Sequence, residues 1–480
     1  MFLDLKDLSE TDHYDICVIG TGPAGITCAR EAAKSGKRIL LLEAGDLDWD
    51  DQSQDMYEGT VIGDPYADLT TNRVRYFGGT SNWWAGWCRP LDEWDFEPNV
   101  VDSHGWPISK TDLDPYLERA GDILDCGMPV ENTPLAESGL NVSPFSYSDM
   151  DGDATRFRIK YKDELEASQN IFLVRRANAF LFRNRGNRSV ELVVKSYEGS
   201  ELVANAKYYV LATGGIENAR LLLWSNAQAN GTLIRSQSLG KYYMDHPDFL
   251  VGSAFIEKNY LESLRAKFDT PKGRPLILAT DRQAIKEDKS LSCSIRVGEM
   301  RYSEGKELLA DLACVVPKVG IRFAHLFDQD LVCGYRLNAV WEQAAVESNA
   351  VTLSDETDML GMPRVDLYWS KSEFDKRTAR VAVERLGAYL ARSDLGRAFT
   401  MVWMNEGEPF IRDWFCAHHM GSTRMGHSFE DGVVDENCKV FGIDNLYLAG
   451  SSVFRSSGYV NPTFSIVQFS LRLGEHLAAK

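Results

Sequence analysis

The stretch YDICVIGTGPAGITCAREAAKSGKRILLLEAGD, near the start of the chain, constrains the fold more than any other. An apolar run, Ile16 to Ile19, has the length of a buried strand. It leads into Gly20, Gly22 and Gly25, and a helical pattern follows to Lys34 with Gly36 placed as its C-cap. Arg38 to Leu42 reads as a second buried strand ending at Glu43. The first two glycines let the backbone turn tightly and approach a pyrophosphate, and the third lets helix and strand pack closely. The helix start presents free N–H groups and the positive end of a dipole to the phosphates. Glu43 is placed to accept hydrogen bonds from a ribose diol. GxGxxG alone is a weak signal, but here strand, helix and acidic residue all stand in position, so an ordinary glycine turn is set aside. The unit predicted is Rossmann-like, and the motif does not choose between NAD and FAD.

The chain has 480 residues, too many for one simple core, so two domains or one large composite fold are expected. A formal net charge of −18 argues against nucleic acid and anionic membrane as partners. RVRYF at 73 to 77 is too short to count as a basic patch. The start, MFLDLKDLSETDHYD, has no basic region followed by an apolar run, so no secretory signal is read. No apolar stretch reaches the roughly 18 residues of a membrane span, so no membrane insertion is expected. Nine scattered cysteines without a CxxC pair fit reduced thiols in a cytoplasmic protein.

Further along, residues 45 to 75 read as polar loop, followed by a glycine turn and an aromatic cluster in YFGGTSNWWAGWCRPLDEWDF. A helix is expected from near Asp112. IFLVRRANAFLFR, VELVVKSYEG and AKYYVLATGG read as a β-ribbon returning to a buried strand, Tyr208 to Ala212, with a helix over ENARLLLWS. From about 240 to 400 the pattern is mostly strands plus one long helix, Glu373 to Ser393. NLYLAGSSVF reads as a last strand, and Asn461 and Pro462 as the N-cap and first position of a final helix.

Six separated segments together resemble the GMC (glucose–methanol–choline) flavoprotein oxidoreductases. They are GTGPAG with Glu43, FGGTSN at 77 to 82, LATGGIENARLLL at 211 to 223, LGKYYMDHP at 239 to 247, HHMGSTRMG at 418 to 426, and NLYLAGSSVF with NPT at 461 to 463. They fall in the family's order over almost the whole chain, and are most similar to bacterial sugar- and glycoside-oxidising members. The resemblance implies an α/β (α+β overall) fold with FAD as cofactor. A Rossmann-like FAD-binding domain would be assembled from residues 1–110, 165–238 and 410–480. A mostly antiparallel β-sheet substrate domain would span 239–409, with 111–164 as a helical connection. It further implies that Gly20, Gly22, Gly25 and Glu43 hold the ADP half, and that Gly79, Thr80 and Asn82 lie along the pyrophosphate and flavin. Ala179 would meet the adenine, and Gly450 and Ser451 the phosphates and ribityl chain. Thr463 would open a helix aimed at the flavin. Some sugar-oxidising relatives carry a His beside the position of Asn82 that links covalently to the flavin. Here Trp83 stands there, so non-covalent FAD is expected, with Trp83, Trp84 and Trp87 as an aromatic wall of the core.

The same resemblance assigns the active-site pair to His418 and Asn461. Chemistry supplies a rationale: oxidising an alcohol moves a hydride to flavin N5 and a proton to a base. Imidazole, with an ordinary pKa near ~6.5, takes that proton near neutrality, whereas an amide orients the substrate oxygen. In an extended segment adjacent side chains point apart, so one of His418 and His419 should face the flavin. His419 and the remaining histidines, His246 and His325 included, are read as structural. Cys416 with His418 and His419 matches no spaced metal set, and no metal is expected.

The expected activity is oxidation of an alcohol to a carbonyl, at a secondary hydroxyl of a sugar, glycoside or polyol, with oxygen or a quinone or other redox carrier as electron acceptor. The rival readings are a non-sugar natural-product alcohol, a flavin lyase or decarboxylase on the same scaffold, and a non-enzymatic FAD-binding protein.

Overall fold

The computed structural model describes residues 2–9, 11–186, 188–271, 273–299, 334–410 and 417–480. His325 and Cys416 lie outside the described residues.

A six-stranded sheet forms the first layer, in the spatial order Phe2–Asp4, Ile171–Arg175, Ile39–Leu42, Tyr14–Ile19, Ala206–Leu211, Leu446–Leu448. Every pairing in it is parallel. Parallel sheets are covered on both faces, and the central strands are accordingly mostly apolar. Ile16, Cys17 and Val18 are fully buried, as are Tyr209, Val210 and Leu211. The helix Pro23–Ala33 is the crossover between the two leading strands, and the terminal helix Thr463–Ala478 packs on it. That approach needs Gly474, where a Cβ would sit 2.6 Å from the Glu31 Cβ.

Two expectations change here. Ile171–Arg175 is not part of the β-ribbon: it pairs in parallel with Ile39–Leu42 inside the main sheet. Alternation over a short run does not distinguish a ribbon strand from a sheet strand. The ribbon itself is Asn178–Asn184, Val190–Lys195 and Glu201–Ala204. The stretch read as loop holds a short helix, Asp51–Gln54, and a strand, Gly59–Gly63, whose parallel partner is the distant Pro363–Trp369.

A seven-stranded antiparallel sheet forms the second body, ordered Gly396–Thr400, Asp248–Ile256, Tyr335–Trp341, Cys293–Glu299, Leu276–Thr280, Leu140–Val142, Thr133–Leu135. The long helix Glu373–Arg392 covers it with a buried stripe of Ala379, Ala382, Val383, Leu386 and Leu390, spaced as one helical face. Ser372 caps this helix and Asp375 returns the bond to the Ser372 N–H at 2.7 Å, a reciprocal capping box. The expected helix near Asp112 begins as two 3-10 turns and becomes α-helical at Leu117–Ile123. Among the described residues no helix is long and apolar enough to cross a membrane.

Candidate active site

The strand Tyr14–Ile19 delivers the chain to Gly20, which holds φ +103, and a Cβ there would lie 2.5 Å from the Ala212 carbonyl. Gly25 packs against the Gly20 carbonyl with no room for a side chain. Gly22 differs, because a Cβ there would meet nothing within 4 Å. It faces a cavity of about 620 Å³, and the helix it precedes has no side-chain cap on its first N–H groups. The second glycine turn, Gly78 at φ +92 and Gly79 at φ +55, comes up beside it. A Cβ on Gly79 would lie 3.0 Å from the Gly22 Cα. Glu43, at the end of its strand, is buried at the cavity and accepts N–H bonds from Gly45 at 2.8 Å and Thr21 at 3.3 Å.

The cavity continues past Ala179 and Thr80 to Gly450, Ser451, Thr463, His418 and Asn461. Of the residues singled out from sequence, Gly25 and Asn82 do not border it. Gly25 closes helix against strand, and Asn82 braces the second turn by donating its amide to the Phe77 carbonyl at 2.9 Å. Gly450, at φ +99, starts a short turn in which the Ser451 hydroxyl donates to the His419 carbonyl at 2.6 Å. Gly421 donates its N–H to the Ser451 carbonyl at 3.1 Å, so the two-histidine segment lies along this turn.

The reacting end is built from three elements. His418 Nδ1 is 2.8 Å from His246 Nδ1, and His418 Nε2 is 3.1 Å from the Asn461 amide nitrogen. Asp245 accepts the backbone N–H of both His246 and His418 at 2.7 Å. Burial lowers the His418 pKa well below the ordinary imidazole value, and His246, Arg296 and His419 push the same way. Burial lowers His246 to about 4 and His419 to about 3, so all three rings are neutral near neutral pH. The His419 ring turns towards Tyr66 and Tyr243, with centroids 6.5 and 6.2 Å away. Asn461 is therefore not the helix N-cap that sequence reasoning makes it. Pro462 occupies that place and the Asn461 amide goes to His418.

Other residues at the cavity escape sequence reasoning. Neither amide atom of the buried Asn72 has a hydrogen-bond partner among the described residues, and the same holds for His419 Nε2. Buried polar groups are rarely left unpaired, so these atoms fit a polar heteroaromatic guest. The open face of Gly22, the uncapped helix start and these orphaned atoms together suit a dinucleotide carrying a flavin. Arg73 and Arg75 serve internal bonds: Arg73 pairs with Glu217 at 2.8 Å, and Arg75 donates to Asn178 at 2.8 Å. Arg296 pairs with Asp248 at 2.7 Å on the cavity wall and lies over the Trp87 ring. Trp83 is not core, being 53% exposed at the cavity rim and stacked on Trp49 with ring centroids 5.3 Å apart. Among the described residues no His, Cys, Asp and Glu cluster suits a metal ion.

Comparison with known proteins adds to this geometry. A family model described as GMC oxidoreductase matches residues 345–470, and one described as an NAD(P)-binding Rossmann-like domain matches residues 18–47. The chain is 23% identical to the 2-methyl-1,2-propanediol dehydrogenase of Mycolicibacterium austroafricanum, over 98% of this chain and 96% of that one. It is also 23% identical to the fructose dehydrogenase large subunit of Gluconobacter japonicus, over 97% and 98% of the two chains. The crystal structure of pyridoxine 4-oxidase from Mesorbium loti superposes with a TM-score of 0.61 at 18% identity, covering 96% of this chain and 99% of that one. At that identity the likeness is one of fold.

Proposed function

Because the chain belongs to the GMC oxidoreductases, a family that binds FAD, we propose that it oxidises an alcohol to a carbonyl with His418 as base and Asn461 as orienting residue. The observation that carries this reading is the pair His418 Nε2 and Asn461 Nδ2, 3.1 Å apart on the cavity wall. A substrate hydroxyl entering between them donates its proton to the imidazole and accepts from the amide, which places its carbon for reaction. Bound flavin supplies the hydride acceptor. The O–H proton goes to Nε2, and burial keeps that nitrogen unprotonated until the substrate arrives.

The substrate class proposed is a sugar, glycoside or polyol reacting at a secondary hydroxyl. Of the two compared dehydrogenases, one is named for a sugar rich in secondary hydroxyls, fructose, and the other for a diol whose oxidisable hydroxyl is primary, so fructose is the relative's compound that supports this class. The paired Asp248 and Arg296 bring acceptors and donors to the cavity wall, as a substrate rich in hydroxyls requires. FAD is held non-covalently in this reading, since Trp83 offers no nucleophilic nitrogen. The final acceptor is oxygen or a quinone-type carrier. Buried, unbridged thiols at Cys17, Cys28, Cys88, Cys293 and Cys438 support a reducing, cytoplasmic setting.

The test is the visible spectrum of the purified protein during anaerobic addition of 2-methyl-1,2-propanediol, fructose and a panel of glycosides. We expect one class to bleach the flavin. His418→Ala should keep FAD and slow bleaching by on the order of 100- to 10,000-fold. Unchanged bleaching in His418→Ala would remove the base assignment, and a protein that takes up no FAD would remove the reading as a whole.

A further inference from the structure

His246 is fully buried, 172 positions from His418 in sequence. Its Nε2 faces two backbone carbonyls, Gly458 at 2.8 Å and Ser457 at 3.3 Å. Carbonyl oxygens only accept, so Nε2 carries the hydrogen. In a neutral ring the lone pair then falls on Nδ1, the atom 2.8 Å from His418 Nδ1. Two bare nitrogens at that distance would repel, so His418 carries its hydrogen on Nδ1 and donates it to His246. The lone pair of His418 is thereby left on Nε2, where the Asn461 amide donates at 3.1 Å. Three bonds run in one direction from the amide to the carbonyl of Gly458.

The groups around these three bonds are tied to one another. Asp245 clamps both histidine backbones through one carboxylate oxygen. Met244 and Met420 exchange two backbone bonds of 3.0 Å immediately beside them. Gly458, at φ +55, has no space for a side chain, since a Cβ would meet an Asp95 oxygen at 2.8 Å. Its carbonyl is thus held on His246.

We propose that His246 is a positioning residue that sets the tautomer of His418, leaving Nε2 as the basic nitrogen and accepting a hydrogen bond from the imidazolium formed when the substrate proton arrives. Among the described residues no carboxylate is hydrogen-bonded to either ring, and the group facing His418 Nδ1 is an imidazole whose own tautomer is dictated by backbone. The inference rests on the assignment of His418 as base.

Two substitutions separate shape from hydrogen bonding. In His246→Asn the amide oxygen takes the place of Nδ1 and can still accept, whereas His246→Leu fills a similar space with no acceptor. With FAD bound and 2-methyl-1,2-propanediol or fructose as probe, we expect His246→Leu to lower kcat for anaerobic flavin reduction on the order of 100-fold. KM should move far less, and the acid limb of the pH profile should shift. His246→Asn should recover most of the loss. Equal rates and pH profiles in wild type and His246→Leu would overturn the proposal, as would an Asn variant that binds FAD yet is as slow as Leu.

The tautomer can be read without substrate and without any substitution at His246. In ¹⁵N-histidine-labelled holoprotein, with His418→Ala used to identify the signal, His418 should carry its proton on Nδ1. A proton on Nε2 overturns the proposal. If His418→Ala retains turnover, the base assignment fails. If His418→Ala is inactive while His246→Leu is not, the positioning role alone fails.

Discussion

His418 meets influences that all act in one direction. Burial, His246, Arg296 and His419 each disfavour the imidazolium, so the pKa falls well below its ordinary value. A base with a lowered pKa stays unprotonated as the solution is acidified, and loses its lone pair only as pH drops through that lowered value. The acid limb of kcat/KM for flavin reduction should therefore lie below ~6.5, the unperturbed imidazole value. A limb at or above that value would mean that another group takes the proton. His418 and Asn461 could be picked out from short motifs because each sits in a recognisable run of neighbours. His246 also lies in a recognisable segment, LGKYYMDHP, but reads there as structural, because its partners are a ring 172 positions away and two carbonyls that no side-chain pattern encodes. Asn72 is similar: its unpaired amide acquires meaning only from the cavity it borders.

At the scale of elements, the two glycines of the first turn do different work. Gly22 has an extended backbone that any residue adopts, φ −70 and ψ −178, and open space where a Cβ would project. Gly22→Ala should therefore fold with a melting temperature close to wild type when FAD is absent, yet bind FAD more weakly. Gly25→Ala places its methyl on the Gly20 carbonyl and should cost about 1–3 kcal/mol of stability before any ligand is considered. Thermal unfolding of the apoproteins and FAD titration check both, and undiminished FAD affinity in Gly22→Ala would show that this turn is not the cradle. The leading strand, its helix and the next strand were readable because periodicity, glycine placement and Glu43 agree within one short stretch. Gly59–Gly63 was not readable: it is short, largely exposed and stabilised by Pro363–Trp369, some 300 positions away. The same holds for Ile171–Arg175, whose place in the main sheet is decided by its neighbours rather than by its own pattern.

Across the whole molecule, Arg455 joins parts that are far apart in the chain. It is 1% exposed and bonds Asp102 and Asp431, with 2.8 Å to Asp102 Oδ1 and 2.7 Å to Asp431 Oδ1, and it also donates to the Met425 carbonyl. It stands a few residues before Ser457 and Gly458, whose carbonyls hold His246. Arg455→Met would leave the partly buried Asp102 without its guanidinium and Asp431 with only the more distant Arg424, 3.8 Å away, a loss of about 3–5 kcal/mol. We expect a lower denaturation midpoint, together with a slower reductive half-reaction as the His246 carbonyls lose their anchor. A variant as stable as wild type would contradict this role. What the amino-acid order alone determined is local: a dinucleotide turn, and a final helix behind an NPT segment. Each follows from steric and hydrogen-bonding preferences that act within about one helical turn or one strand. Only the folded chain decided which strands share a sheet, which glycine faces open space, and which groups face the two nitrogens of His418. Those outcomes depend on backbone groups and side chains brought together across hundreds of residues, where packing and the pairing of buried polar atoms override local preference.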